Sequence, residues 1–156
     1  MKTLITYFSR TGTTKKLADE LSTLLSADIE AITEAKSRAG PMGWLTSGRE
    51  AMSGATPVIE ALKMDPSYYD VVVIGTPIWA WNMASPIRSY LIQAKSKIRN
   101  VAYFCTYQSS PGSTFENMAK ITGAPIVTLE IKETEVEIGD YKEKLKTFAD
   151  AIKATQ

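Results

Sequence analysis

Six consecutive residues near the start of the chain combine four hydroxyl side chains with one glycine. This segment, Ser9–Thr14, has the sequence SRTGTT and is called loop 1 below. Short hydroxyls, backbone N–H groups and the positive end of a helix dipole all favour a bound anion. Loop 1 therefore predicts a site for one compact phosphate group, with charge from Arg10, Lys15 and Lys16 in support. The alternative is an ordinary strand-to-helix turn in which a threonine caps the helix.

Two other nucleotide-binding loops do not match loop 1. A P-loop needs an earlier glycine and a Gly-Lys-Ser/Thr ending, whereas Gly12 is followed by Thr13. A dinucleotide fingerprint needs three glycines, and loop 1 has only Gly12, although Glu30 lies near the position of a ribose-binding acid. The hydroxyl composition therefore favours a terminal phosphate.

Strands and helices alternate along the chain, which is typical of a parallel α/β sheet. Loop 1 follows an apolar run at Leu4–Phe8, and further buried strands are predicted at Asp70–Gly75, Val101–Tyr107 and Pro125–Ile131. The alternating stretch Ala27–Ile32 is typical of a partly exposed edge strand. Its acidic residues would share one side: Asp28 and Glu30.

Helices are predicted between these strands. Ser85 would cap one of them, with Pro86 as its first residue, and Asp140 would begin the last. Another runs from about Phe115–Ile121 and ends at Gly123. A first helix is predicted from Lys15, directly after loop 1. The residues with inward-facing helical spacing are Leu17, Leu21, Leu24 and Leu25 in this first helix, Ile87, Tyr90, Leu91 and Ala94 in the helix that begins at Pro86, and Leu145, Phe148, Ala149 and Ile152 in the last helix.

The segment Thr33–Met64 gives the weakest pattern, because glycines interrupt it repeatedly. We expect a loop and a short helix packed on the sheet. The alternative is a flap over a ligand that includes Trp44 and Arg49.

The composition restricts the possible functions. The 156 residues predict a single domain over positions 1–156, and the hydrophobic content of 44% is ordinary for a soluble globular protein. The chain has no histidine, which argues against metal and triad chemistry, and its one cysteine, Cys105, is expected in the core. A net charge of +1 gives no indication of nucleic-acid binding. No stretch predicts a membrane span or a signal peptide, so we expect a cytoplasmic protein.

Loop 1 matches the signature of the flavodoxin family, which is Ser or Thr, any residue, Thr, Gly, any residue, Thr after the first strand. The matching residues are Ser9, Thr11, Gly12 and Thr14. The chain therefore resembles a short-chain flavodoxin over nearly its whole length, since Pro125–Ile131 lacks the insertion of long-chain members. The resemblance implies a doubly wound five-stranded parallel sheet, order 2-1-3-4-5, with helices on both faces and FMN as cofactor.

Two further segments would join loop 1 at the carboxyl ends of the strands: loop 2, Thr76–Ser85, and loop 3, Tyr107–Ser113. Their aromatic and amide side chains suit a flat conjugated ring. With the resemblance, the predicted FMN-binding residues are Ser9, Arg10, Thr11, Gly12, Thr13, Thr14, Thr76, Pro77, Ile78, Trp79, Trp81, Asn82, Thr106, Tyr107, Ser110 and Gly112. The sequence does not decide which of Trp79, Trp81 and Tyr107 stacks on the ring, and one tryptophan is expected to pack against the following helix.

Other proteins with a similar fold match less well. A phosphoacceptor receiver domain has acidic residues where this chain has Ser9 and Gly75, and a low-molecular-weight tyrosine phosphatase has a cysteine in its first loop. Both differences favour the flavin hypothesis.

The resemblance leaves two redox functions open. We favour an electron-transfer protein that shuttles electrons between partner proteins, a reductase and an acceptor, as a monomer or weak homodimer without nucleic acid or membrane. The alternative is an FMN-dependent NAD(P)H:quinone or related oxidoreductase. The Trp-Asn-Met step at Trp81–Met83 is similar to a Gly-Asn-Met step in flavodoxin-like quinone reductases. Typical flavodoxins are strongly acidic, whereas this chain balances 18 basic with 17 acidic residues. A flavin-free scaffold is disfavoured because the phosphate motif is complete.

Overall fold

The computed structural model describes residues 1–34, 42, 49, 52–54 and 56–155. In this part of the chain, five parallel strands form a sheet, and a sixth, two-residue strand pairs antiparallel with one of them. The strands are β1 Thr3–Tyr7, β2 Asp28–Ala31, β3 Val71–Trp79, β4 Asn82–Met83, β5 Val101–Tyr107 and β6 Thr128–Lys132. The order β2-β1-β3-β5-β6 confirms the predicted flavodoxin-like topology, with β4 as an addition.

Helices cover both faces of the sheet. They are α1 Thr13–Leu25, α2 Ser85–Ala94, α3 Thr114–Thr122, α4 Glu133–Ile138 and α5 Lys142–Lys153, and a 3-10 turn spans Pro66–Tyr68. Among the described residues, none of these helices is long and apolar enough to cross a membrane.

Alternating strand residues divide the core into two layers. One layer packs Val72, Ile74 and Tyr103 of the sheet against α2 and α3. The other packs Val73 and Phe104 against α1 and α5. A parallel sheet with both faces buried needs such continuous apolar strands, which is why they were visible in the sequence.

Two predicted helix starts are wrong. Ala84, rather than Ser85, is the N-cap of α2, and its backbone N–H donates to Thr76 Oγ1 at 3.0 Å. The last helix does not begin at Asp140, because α4 forms first and ends at Gly139, which has a φ of 81°. The Glu135 side chain stabilises the start of α4 by accepting from the Lys132 backbone N–H at 2.8 Å.

Two smaller boundaries also differ from the prediction. The strand predicted at Pro125–Ile131 begins at Thr128, and the segment before it is held by a hydrogen bond from the Ile126 N–H to the Val101 carbonyl at 2.8 Å. Leu24 is exposed, and Thr14 belongs to the inner face of α1 instead. The inner residues are Thr14, Leu17, Ala18 and Leu21.

The edge strand β2 is more covered than its acidic residues suggested. Glu30 is buried, and its carboxylate accepts backbone N–H bonds from Lys63 at 2.5 Å and Met64 at 3.2 Å. These bonds fix the chain just before β3. The predicted flap falls mostly outside the described residues; of its two named members, Trp44 lies outside them, and Arg49 is an exposed helical residue.

Candidate functional site

Loop 1 turns directly from β1 into α1 through a left-handed glycine. Gly12 is the N-cap of α1, with a φ of 100°. Its backbone N–H donates to Ser9 Oγ at 3.1 Å, and its carbonyl accepts the Lys16 N–H at 3.0 Å. The cap is therefore a glycine rather than a threonine, so the alternative of an ordinary threonine-capped turn does not describe it. The backbone N–H groups of the first helical turn point along the helix axis, as an anion site requires.

The hydroxyls of loop 1 lie in different environments. Thr11 is exposed and Thr13 is half-buried, whereas Thr14 is only 1% exposed. Thr14 Oγ1 lies 2.8 Å from Thr106 Oγ1 at the end of β5, and Thr106 is also 1% exposed. This hydrogen bond ties loop 1 to the strand that leads into loop 3.

The three predicted supporting cations are held by other groups. Lys15 Nζ lies 2.6 Å from Asp19 Oδ2, and hydrogen bonding to that carboxylate raises the pKa of Lys15. Lys16 Nζ lies 5.5 Å from the Tyr141 ring centre, and the Arg10 guanidinium lies 4.8 Å from the Trp79 ring centre. Of the three, Arg10 remains within loop 1 itself, where its charge favours an anion.

Loop 2 is a tight hairpin with an unusual turn. Ile78 pairs with Met83, and Trp79 pairs with Asn82. The two turn residues between them, Ala80 and Trp81, have φ angles of 48° and 60°. Positive φ at both positions is the pattern of a type I′ turn, which usually contains Asn and Gly. Ala and Trp there cost on the order of 1 kcal/mol or more each, a strain typical of functional loops.

The side chain of Thr76 is buried and stabilises this hairpin. Its hydroxyl accepts from the Ala84 N–H at 3.0 Å and donates to the Pro77 carbonyl at 2.8 Å. Both hydrogen bonds of the Thr76 hydroxyl are made within loop 2. This side chain therefore holds the loop in its conformation.

The two tryptophans of loop 2 have opposite environments. Trp79 is 4% exposed, and its ring meets Phe8 edge to face with ring centres 5.3 Å apart. It belongs to the core layer that contains α2, as expected for one of the pair. Trp81 is 62% exposed. Of the two, only Trp81 offers a ring face to a ligand.

Loop 3 packs directly on loop 2. Gly112 has a φ of 57°, and a Cβ atom there would lie 2.2 Å from the Trp81 carbonyl oxygen. Gly112 N–H donates to Ser110 Oγ at 3.1 Å. From α3, Asn117 Nδ2 donates to Asn82 Oδ1 at 3.2 Å. Glycine is required because a side chain at position 112 would push the loops apart.

A cleft of about 180 Å³ lies between these loops. It is lined by Ile78, Ala80, Trp81, Gln108, Ser109 and Ser110. Gln108 and Ser109 belong to loop 3 but are not among the predicted site residues, and neither are Ala80 and Asn117. The only signal for Ala80, Gln108 and Ser109 was their position near aromatic residues in the predicted loops, and Asn117, in a predicted helix, had none.

Tyr107 and Cys105 lie in the last part of β5 and differ in exposure. Tyr107 is half-buried at the end of β5, in register with Lys132 of β6. Cys105 is fully buried, and desolvation raises the pKa of its thiol. The thiol therefore stays protonated, and Cys105 is a core residue as predicted.

A larger cleft, of about 490 Å³, lies between β6 and α5. Its lining includes Leu129, Tyr141 and Phe148 but no residue of the three loops. We place the candidate site at loops 1 to 3, because Arg10 of loop 1 contacts Trp79 of loop 2, Thr14 bonds Thr106 just before loop 3, and the three loops follow adjacent strands at the switch point between β1 and β3.

These features define a doubly wound α/β protein in which a hydroxyl-rich strand-loop-helix turn and a cleft lined by one exposed tryptophan follow the carboxyl ends of the strands. The family model described as Flavodoxin matches residues 2–151, so the chain belongs to the flavodoxin family. No curated protein matches it.

Solved structures share this fold. The flavoprotein from Lactobacillus acidophilus NCFM, in complex with FMN, is 27% identical, with 87% of this chain and 96% of that chain covered and a TM-score of 0.72. A protein from Bacteroides uniformis ATCC 8492 is 22% identical, with coverage of 96% and 97% and a TM-score of 0.80. Oxidised Flavodoxin 2 from Bacillus cereus is 19% identical, with both chains fully covered and a TM-score of 0.62.

The different environments of Trp79 and Trp81 predict different losses of stability. Trp79→Ala removes a buried ring and should lower the free energy of unfolding by about 3–5 kcal/mol. Trp81→Ala should lower it by less than about 1 kcal/mol, because its ring is mostly in water. Urea unfolding of the two variants tests this, and equal losses would show that the assignment of core and surface rings is wrong.

Proposed function

We propose that this protein binds FMN and transfers electrons between partner proteins. The observation that supports this most is the convergence of loop 1 with the cleft beside Trp81 at one edge of the sheet. A phosphate and a flat ring, joined by a flexible chain, match these two features. The FMN complex of the Lactobacillus acidophilus flavoprotein, 27% identical, adds support for FMN in particular.

Loop 1 suits the FMN phosphate. Ser9 accepts the Gly12 N–H, so its own hydroxyl proton can point toward a ligand. Thr14 contributes a second hydroxyl beside the N–H groups of the first turn of α1. Loop 1 contains no acidic side chain that would repel a phosphate dianion. The predicted roles of Ser9, Thr11, Gly12, Thr13 and Thr14 are thus compatible with the local geometry.

The cleft between loops 2 and 3 suits the isoalloxazine ring. Trp81 supplies an exposed aromatic face, and Gln108, Ser109 and Ser110 supply polar groups along the cleft. The six lining residues include no ionisable side chain. A neutral, aromatic surrounding disfavours added negative charge, so we expect this site to lower the reduction potential of a bound flavin.

When bound, FMN supplies one- and two-electron redox chemistry, and the chain supplies position and electrostatics. Loop 1 anchors the phosphate end. The hydrogen bonds of Thr76 and the Asn117–Asn82 contact hold loop 2, and Gly112 lets loop 3 approach it closely. These contacts fix the width of the cleft.

The same contacts favour a carrier over an NAD(P)H-dependent reductase. A reductase must stack a nicotinamide against the flavin, which needs room for a second ring. Trp81 already presents an aromatic face at the cleft, and its backbone carbonyl is in contact with Gly112. We therefore propose separate redox partners, a reductase and an acceptor, that meet the exposed ring edge.

Thr14 should discriminate between flavins by their phosphate. Thr14→Val removes a hydroxyl donor to a charged group and should weaken FMN binding about tenfold to a hundredfold, but riboflavin binding less than about threefold. Isothermal titration of the apoprotein measures both affinities. Thr23→Val is a matched control on the exposed side of the same helix and should change neither. Equal weakening of both flavins by Thr14→Val would contradict the phosphate role.

An anaerobic reduction assay tests the choice between carrier and enzyme. The FMN-loaded protein is mixed with NADPH and then NADH, and the visible flavin absorbance is followed. The proposal predicts that the flavin stays oxidised until a flavodoxin reductase is added. Rapid bleaching by either nucleotide alone would instead make the protein an NAD(P)H-dependent oxidoreductase.

A further inference from the structure

Two buried threonines from distant parts of the chain share one hydrogen bond. Thr14 Oγ1 and Thr106 Oγ1 are 2.8 Å apart although the residues are separated by 92 positions. Both residues are 1% exposed. In the described part of the chain, each hydroxyl has the other as its hydrogen-bond partner.

On the side of the sheet core, the surroundings of this pair are apolar. Thr106 points to the same face of β5 as Ala102 and Phe104, which belong to the core layer against α1. Thr14 lies on the inner face of α1 with Leu17 and Leu21. In such surroundings the two hydroxyls bond to each other. The direction of that hydrogen bond decides which hydroxyl, the acceptor of the pair, still has a proton to donate to another group.

We propose that Thr106 is a positioning residue for the phosphate site and does not itself touch the ligand. Two hydroxyls joined by one hydrogen bond have one proton left outside it. If Thr106 donates to Thr14, the remaining proton is on Thr14, at the start of α1. A phosphate dianion only accepts hydrogen bonds, so it selects this direction. The result is a relay from Thr106 to Thr14 to phosphate.

The relay gives Thr106 a role in ligand specificity. A hydroxyl that accepts one hydrogen bond becomes a better donor for the next, so Thr106 strengthens the bond from Thr14 to phosphate. It also holds the Thr14 side chain in one orientation at the start of α1. Neither effect acts on riboflavin, which has no phosphate. This inference rests on the proposed FMN function.

The test is a double-mutant cycle on flavin affinity. FMN and riboflavin dissociation constants are measured for the wild type, Thr106→Val, Thr14→Val and the double variant. We expect Thr106→Val to weaken FMN about threefold to tenfold and riboflavin less than twofold. In the Thr14→Val background, Thr106→Val should change FMN affinity less than twofold, because the relay is already broken.

Two further variants separate positioning from general stability. Thr106→Ser keeps the hydroxyl and should restore FMN affinity to within twofold of the wild type. Thr6→Val is a matched control, since Thr6 is a buried threonine whose hydroxyl donates to Tyr90 Oη at 3.2 Å. It should leave the ratio of FMN to riboflavin affinity unchanged. If Thr106→Val does not fold, Thr106→Ala replaces it in the cycle.

The outcomes distinguish the relay from the proposed function. If the wild type binds FMN but Thr106→Val leaves the FMN-to-riboflavin ratio unchanged, the relay is wrong and the proposed function stands. The relay is also wrong if the effect of Thr106→Val persists in the Thr14→Val background. If the wild type does not bind FMN, both the proposed function and the relay fail.

Discussion

The left-handed conformation of Gly12 is the constraint on which the site depends. At a φ of 100°, it lets the chain leave β1 and enter α1 at once, with Ser9 Oγ bonded to its N–H. A residue with a Cβ would be strained there. The abrupt turn sets the N-terminus of α1 against the carboxyl end of the sheet. It also brings Thr14 within hydrogen-bond distance of Thr106. The backbone angle at Gly12 therefore sets both the direction of the α1 dipole and the position of the Thr14 hydroxyl beside β5.

The cleft beside Trp81 depends on the contact between loops 2 and 3. Ala80 and Trp81 adopt left-handed angles in a turn that usually contains Asn and Gly. The neighbouring contacts hold this strained turn: Gly112 lies against the Trp81 carbonyl, and Asn117 bonds Asn82. A loop fixed in this way needs less reorganisation when charge on a bound ring changes. Low reorganisation of this kind would support the proposed electron transfer.

Much of the fold was predictable because it depends on local patterns. The apolar run at Asp70–Gly75 could only be a central strand, and the spacing of Ile87, Tyr90 and Leu91 marked the inner face of α2. Loop 1 was visible because its hydroxyls are consecutive in the chain. The start of α5 was missed because Glu135 stabilises a separate six-residue helix before Gly139, and so short a helix has too few residues to show a periodic pattern.

The arrangement inside the site could not be predicted from sequence. Trp79 and Trp81 are two residues apart, so strand alternation alone would put them on the same face; the turn at Ala80 and Trp81 separates them. That turn has no Asn-Gly signal. The hydrogen bond between Thr14 and Thr106 joins positions far apart in the chain, which no local pattern reports.

Amide chemical shifts measured during an FMN titration report which loops of the protein FMN contacts. In ¹⁵N–¹H spectra, we predict that FMN shifts the amide resonances of loop 1, Trp81 and Ser110 and saturates at one FMN per chain. Riboflavin should shift loops 2 and 3 but leave loop 1 almost unchanged. Shifts confined to the larger cleft at Leu129, Tyr141 and Phe148, or no saturable shifts, would contradict the account.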